Sequence, residues 1–365
     1  MKKSLVALAV LAASGAAMAQ SSVTLWGVVD AAISRASQNG VSKTYMTTSG
    51  NTSSQLGFKG TEDLGGGMSA SFWLEAGLLN DTGAGATAGA LAFNRRSTID
   101  LTSGKVALRL GRDYTPSFWN HTVFDPFGTL GAGAGSNITL GGGSNGAAGA
   151  NALTAARSNN SITLLYGIAP NGGSHGLGST GIYGSLMHAL AENASGAPSV
   201  GKYTGGRLGY AQGPLNAAIS YANSNGAGAT ATSTLAYKEF NLAGSYNVGV
   251  ANLMAHYGTN NSDTAGTKHT HWGIGATIPV GAGSIPVSYN RVKQNNAAGS
   301  GADQIAIGYV YNLSKRTAVY TAYSRIGNKN GGNYTFLGGN GGGNPGLTAG
   351  GQNGSAFDLG LKHSF

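Results

Sequence analysis

The feature that most limits what this chain can become is a two-residue alternation of apolar and polar side chains, renewed in segment after segment from Val23 to the carboxyl end. Successive side chains of a strand point to opposite faces, so each such segment reads as a strand with one apolar and one polar side. Val23, Leu25, Val29, Ala31 and Ile33 share one face of the first, with Thr24, Trp26 and Asp30 on the other. Lys59 takes the polar face of 55–60, and Ala70, Phe72 and Leu74 alternate with Ser71, Trp73 and Glu75. Farther on, Ile99 and Leu101 oppose Arg96, Thr98 and Asp100, and Leu108 and Leu110 oppose Arg109. With 161–168 and ten later segments, about sixteen strands are expected, an even number within the range of membrane barrels.

The only long apolar run lies at the start. Met1-Lys2-Lys3, the apolar stretch from Leu5 to Ala17 and the small residues around Met18 read as a secretory leader over residues 1–19. After it, no apolar run approaches the ~20 residues of a spanning helix. Any membrane crossing must then be by a closed barrel, which satisfies every backbone group without water. The connections fit: tight ones at Gly213-Pro214, Val248-Gly249, Gly281-Ala282 and Ser314-Lys315 alternate with longer ones around Asn193, Asn225, Asn261, Asn296 and Asn330. The connection at 171–179 is longer than this rhythm predicts. In 181–190, 285–293 and 317–325 apolar residues occupy both faces, which either a subunit interface or a shifted register would explain. The expected fold class is all-β, a transmembrane antiparallel β-barrel occupying residues 20–365.

Removing the leader leaves 20 Lys+Arg against 13 Asp+Glu, a formal +7. The cations come singly rather than in a stripe, which argues against nucleic acid and points to small anions. Cysteine is absent, so no disulfide framework is available. Regular alternation of Tyr, Phe, Leu, Ile and Val argues against disorder despite 63 glycines.

One connection stands apart. From about 108 to 157 the chain passes from strand into Asp113-Tyr114-Thr115-Pro116-Ser117-Phe118-Trp119, then Phe124-Asp125-Pro126-Phe127-Gly128, then a glycine-rich tract. Loops of such length are functional or disordered, and this one is expected to fold into the barrel and narrow a pore. Lys59, Arg96 and Arg109 share the inner parity, and extending 161–168 backwards adds Arg157. Arg112 joins them only if the strand has ended, and Arg95 reads as outward. Such a basic wall would favour anions, although each cation could instead pair with Glu75, Asp100 or Asp113. Asp113 and Asp125 are candidates for an opposing acidic side. Phe118, Trp119, Phe124 and Phe127 would pack the loop onto the wall or line a slide for a solute.

Catalytic constellations are weak. His269 and His271 share a strand face near His256, but no cysteine or carboxylate cluster completes a metal site. No serine is singled out as a nucleophile, and no phosphate-binding glycine loop joins strand to helix. No cofactor is expected.

At this point the chain resembles the Gram-negative porin family, in its beta-proteobacterial general-diffusion branch. The resemblance rests on Ser22-Val23-Thr24-Leu25-Trp26-Gly27, Leu56-Gly57-Phe58-Lys59-Gly60-Thr61-Glu62-Asp63-Leu64-Gly65-Gly66-Gly67, Asn94-Arg95-Arg96-Ser97, Leu110-Gly111-Arg112-Asp113-Tyr114-Thr115-Pro116 and Leu361-Lys362-His363-Ser364-Phe365. It implies a sixteen-stranded homotrimer in the outer membrane, in contact with lipid and lipopolysaccharide. The third long loop would form the constriction, with Tyr114, Pro116, Phe118, Trp119, Phe124, Pro126 and Phe127 as its packing residues. Phe365 would be the signal read by the barrel-assembly machinery. Many relatives place an acid after the loop-tip proline, whereas here Asp125 precedes Pro126. The function implied is passive diffusion of small hydrophilic solutes and ions with mild anion preference; a barrel hydrolase and a secreted β-rich adhesin are the alternatives.

Overall fold

The computed structural model describes residues 22–86, 90–140, 156–169, 180–192, 199–227, 234–262, 268–336, 347 and 350–365. The leader and the 171–179 connection lie outside the described residues. Strands follow in the order β1 (Ser22–Gln38), β2 (Val41–Thr48), β3 (Gln55–Gly65), β4 (Met68–Leu79), β5 (Ala84–Gly85), β6 (Arg96–Ser103) and β7 (Val106–Tyr114). Two helices, α1 (Pro116–Val123) and α2 (Ser136–Thr139), interrupt them. Then come β8 (Arg157–Tyr166), β9 (Gly181–Ala189), β10 (Tyr203–Gln212), β11 (Leu215–Ala227), β12 (Thr234–Asn247), β13 (Asn252–Ser262), β14 (His269–Val280), β15 (Gly283–Gln294), β16 (Gly301–Asn312), β17 (Thr317–Lys329) and β18 (Gly354–Ser364).

β2 and β3 run end to end along one edge of β1, β2 against residues 31–38 and β3 against residues 22–28. The break between them is built on Asp30, whose carboxylate accepts the backbone N–H groups of Asn51 at 3.0 Å and Thr52 at 2.6 Å. Taken as one stave, with the two-residue β5 left aside as a bridge to the end of β4, they bring the wall to sixteen antiparallel staves. The other edge of β1 pairs with β18, and Gly27 and Phe365 exchange both backbone hydrogen bonds at 3.1 Å, which closes the barrel. Closure removes the free sheet edges that lipid could not satisfy. At one end the turns are tight, with Gly104 and Gly281 at φ of 56° and 58°, a left-handed conformation that a side chain would strain.

Alternation sorts the residues as expected where the strands meet lipid. Val23, Leu25, Ile33, Ile99, Leu108, Ile305 and Leu359 are exposed on the outer face, while Asp30, Ser34, Thr98 and Asp100 are buried inside. The inner apolar residues of the strands with two apolar faces have partners inside the barrel. Tyr183 on β9 packs inward with Ala218 and Ala243 against Phe124 of the long connection. Val292 on β15 packs inward against Ile138, Tyr334 and Phe336, and on β17 the buried Tyr320 points inward, donating its hydroxyl to Asp30 beside Gly50. The inner apolar residues are therefore a core between the wall and loops folded inside it. Residues 330–336 of the last connection form one such inserted segment, which the sequence pattern did not reveal.

Candidate functional site

The long connection is organised by its own polar groups. Thr115 caps α1 by accepting the N–H of Phe118 at 3.3 Å, and Pro116 stands in the first helical turn, where its missing N–H is not needed. α1 lies along β10–β12. Asn120 donates to the carbonyl of Ala218 at 3.1 Å and accepts from Arg207, Asn241 donates to the carbonyl of Ser117 at 3.3 Å, and Nε2 of His121 sits 2.7 Å from Oε1 of Glu239. Phe124, 1% exposed, fills the pocket between Tyr183 and Ala218; burial of a side chain of this size is worth roughly 1.5–3 kcal/mol. Pro126 then lies over Gly275 of β14, where a Cβ would collide with it.

Asp125 does not face a channel. Its Oδ1 accepts the N–H of Phe127 at 2.9 Å, and its Oδ2 accepts those of Thr129 at 3.2 Å and Gly135 at 2.9 Å. Burial pushes this carboxyl above its usual range, and the three donors and nearby His121 oppose that shift. Beyond it, the N–H of Ala132 donates to Asp358 on β18 at 2.7 Å, pinning the tip to the wall.

Across β3–β8 lies a cluster of opposite character. Arg109 bonds Asp100 and Asp113, each at 2.5 Å, and Arg96 reaches Asp100 at 3.4 Å and Thr98 at 3.0 Å. The Trp73 ring is flanked by Arg96 at 4.7 Å and Lys59 at 4.8 Å, a cation–π arrangement on both counts. Glu75 accepts from Trp73 Nε1 at 2.9 Å and from Arg95 Nε at 2.6 Å. Arg95 and Arg157 both donate to the Tyr114 hydroxyl, and the Arg157 guanidinium lies 4.0 Å from the centre of that ring. Phe118 stacks on Tyr114 and Trp119 meets it edge-on.

Several expectations change. Arg95 is buried in the cluster rather than outward, because the strand starts only at Arg96 and Glu75 draws the side chain in. Asp113 belongs to the basic wall through its pairing with Arg109, not to an opposing acidic side, and Asp125 is enclosed by its own loop. Arg112 keeps the outward parity; it holds the Asn94 carbonyl and Asn159 side chain at 2.5 Å each. Arg157 arrives by a different route from the one its spacing implied. A bulge at Asn159–Asn160 shifts the β7–β8 register, so that Ser158 pairs with Asp113 and Arg157 with Tyr114. Missed entirely was Arg207, whose inner parity in the 203–211 alternation was the available signal.

Five cations, Lys59, Arg95, Arg96, Arg109 and Arg157, thus share one wall with three carboxylates, Glu75, Asp100 and Asp113. Such a surface holds an excess of positive charge beside any polar path through the barrel.

The chain as a whole is similar to several known proteins. A family model for Gram-negative porins matches residues 4–331. The chain is 41% identical over 339 residues to outer membrane porin protein 32 of Delftia acidovorans, with 90% of each chain covered. It is 30% identical to an outer membrane porin protein of Bordetella pertussis, covering 92% of this chain and 96% of that one. The solved structure of an anion-selective porin from Comamonas acidovorans superposes with a TM-score of 0.79 at 33% identity, over 95% of this chain and all of that one.

Proposed function

This chain belongs to the Gram-negative porin family, and on that premise we propose that its pore favours anions because of the net positive charge on the β3–β8 wall. It is an outer-membrane diffusion channel: small hydrophilic solutes and ions pass down their gradients through the barrel, past the long third connection. Family and fold set the hydrolase reading aside. The anion-selective relative from Comamonas acidovorans supports the sign of the preference.

The observation that carries the proposal is the balance of five cations against three carboxylates. Arg96 and Arg109 are neutralised locally by Asp100 and Asp113, and Arg95 by Glu75. Over the wall the formal excess is two positive charges, and Lys59 and Arg157 are its partly exposed cations. One unit charge about 10 Å from a permeating ion in water is worth about 0.4 kcal/mol, roughly twofold in local concentration and opposite in sign for anions and cations. Two such charges give a mild preference. In planar bilayers with a salt gradient, the wild type should show reversal potentials of anion sign, and Lys59→Gln/Arg157→Gln should move them close to zero. Cation selectivity of the wild type, or no change in the double variant, would reject the charge assignment.

The same reading includes a homotrimer surrounded by lipid and lipopolysaccharide, the 1–19 leader as the export signal and Phe365 as the mark recognised by the barrel-assembly machinery. Family membership supports these. Removing Phe365 should lower the amount of folded protein in the outer membrane severalfold while leaving export intact, read by fractionation; undiminished insertion would remove the signal role.

A further inference from the structure

The connection between β8 and β9 is long at the end of the barrel where the turns are otherwise tight, the periplasmic end in barrels of this class. It leaves the wall at Gly167, whose N–H donates to the carbonyl of Lys105 at 2.9 Å beside the start of β7. Had the strand continued, Ile168 would follow Ile162, Leu164 and Tyr166 onto the lipid face. Instead Gly167 takes a φ of 65°, a left-handed conformation that a side chain would strain, and the chain turns inward.

Inside the barrel, the half-buried Ile168 meets the helix of the long third connection. With Val123 it packs against the buried cluster of Phe124, Tyr183, Ala218 and Ala243, at the carboxyl end of α1. Toward the amino end, Ile168 and Ala169 border a cavity of about 20 Å3 that Pro116 and Trp119 of α1 and Arg96 and Arg109 of the wall also line. Among the described residues, the tight turns at 104–105, 213–214, 248–251, 281–282 and 313–316 supply nothing to either contact.

The remaining supports of α1 act from another side. Asn120 bonds β11, His121 meets Glu239 on β12, and Asn241 of β12 donates to the carbonyl of Ser117. Those bonds hold the flank toward β10–β12. Ile168 and Ala169 fill space on the flank toward β6–β8, between the helix and the basic wall. Packed side chains resist approach as long as their volume is kept, so the distance of α1 from that wall depends on the residue at 168.

We propose that the β8–β9 connection enters the barrel from the periplasmic end and that Ile168 is a footing for α1: it sets how far the helix stands from the basic wall, and through that the largest solute the channel admits. Ile168 is a positioning residue that acts through α1, and its volume rather than any charge is what counts. When this strut is cut short, the bonds of Asn120 and Asn241 keep the helix on β11 and β12, so the constriction loosens without being lost.

The proposal rests on the channel reading, and the full-length protein in liposomes and planar bilayers tests it. Ile168→Ala should melt within a few degrees of the wild type, because the strand ladder is untouched. It should pass raffinose severalfold faster relative to arabinose than the wild type does, and its open-channel current noise should rise severalfold. Ile168→Leu, which keeps the volume, should retain the wild-type sugar ratio and noise. Ile168→Thr, a milder truncation should the alanine variant fail to insert, should shift both in the direction of alanine. An unchanged sugar ratio in the truncated variants overturns the footing, as does a lowered melting temperature with both sugars slowed alike, which would leave Ile168 as core filling. Absence of conductance in the wild type would instead remove the channel reading.

Discussion

Asp125→Ala is expected to leave the sixteen staves closed and abolish the single defined shape of the constriction. The carboxylate accepts three backbone N–H groups from Phe127, Thr129 and Gly135, spanning both sides of the loop tip. A hydrogen bond to a charged acceptor contributes roughly 1.5–3 kcal/mol, and these three share one group, so their loss together should cost several kcal/mol without simple addition. The barrel itself is held by ladder hydrogen bonds that the substitution does not touch. The variant should therefore insert and keep the heat resistance of the wild type. Its current should wander among levels, and liposomes carrying it should admit sugars that the wild type excludes. Asp125→Asn should reproduce most of this, because the amide replaces one acceptor oxygen with donors. A steady current at the wild-type level, with the sugar cut-off unchanged, would show that Pro126 and Phe124 seat the loop without the carboxylate.

The place of Asp125 before Pro126, which looked like a displaced pore acid, has a plain physical cause. An aspartate two residues before an N–H can close a turn onto it, as Asp125 does with Phe127. Sequence shows which residue type is present; whether its oxygens face water or backbone depends on the turn around it. Similar reasoning separates what was legible from what was not. Alternation alone placed Lys59, Arg96 and Arg109 on one inner face, because strand geometry makes parity a reliable guide over an uninterrupted ladder. Parity failed at Arg157, where one extra residue in β8 changes facing, and at Arg95, which precedes its strand. It was ambiguous in β9, β15 and β17 because an inward apolar residue signals lipid only when nothing is folded inside. Tyr183 and Val292 pack instead against Phe124, Tyr334 and Phe336, contacts formed across more than fifty residues of chain in the first case. Strand ends were also read short: β17 runs to Lys329, since its rim extends beyond the apolar band and loses the pattern used to find it.

Arg109→Ala should be the most damaging single change on the basic wall. Arg109 holds Asp100 and Asp113 at 2.5 Å each, and both carboxylates are nearly buried, at 1% and 2% exposure. Removing one partner of a buried pair leaves uncompensated charge and typically costs about 3–5 kcal/mol. Arg96 is close enough to recover part of this, lying 3.4 Å from Asp100 and 3.9 Å from Asp113, but doing so would draw it from the Trp73 ring. The variant should thus unfold at lower temperature and, with one cation fewer, conduct with weaker anion preference. Asp100→Asn/Asp113→Asn makes the opposite electrostatic change, leaving five cations against Glu75 alone, and should strengthen the preference. Combining the two as Arg109→Leu/Asp100→Asn/Asp113→Asn removes the cation together with both of its carboxylates, so it should recover most of the thermal stability. Its selectivity should lie above that of Arg109→Ala and below that of Asp100→Asn/Asp113→Asn. Melting followed by circular dichroism and reversal potentials measured on the same preparations give both orders. If the triple variant melts as low as Arg109→Ala, the ion pairs are not the source of the loss, and the packing of the Arg109 stem at the small cavity it lines with Trp119 becomes the explanation.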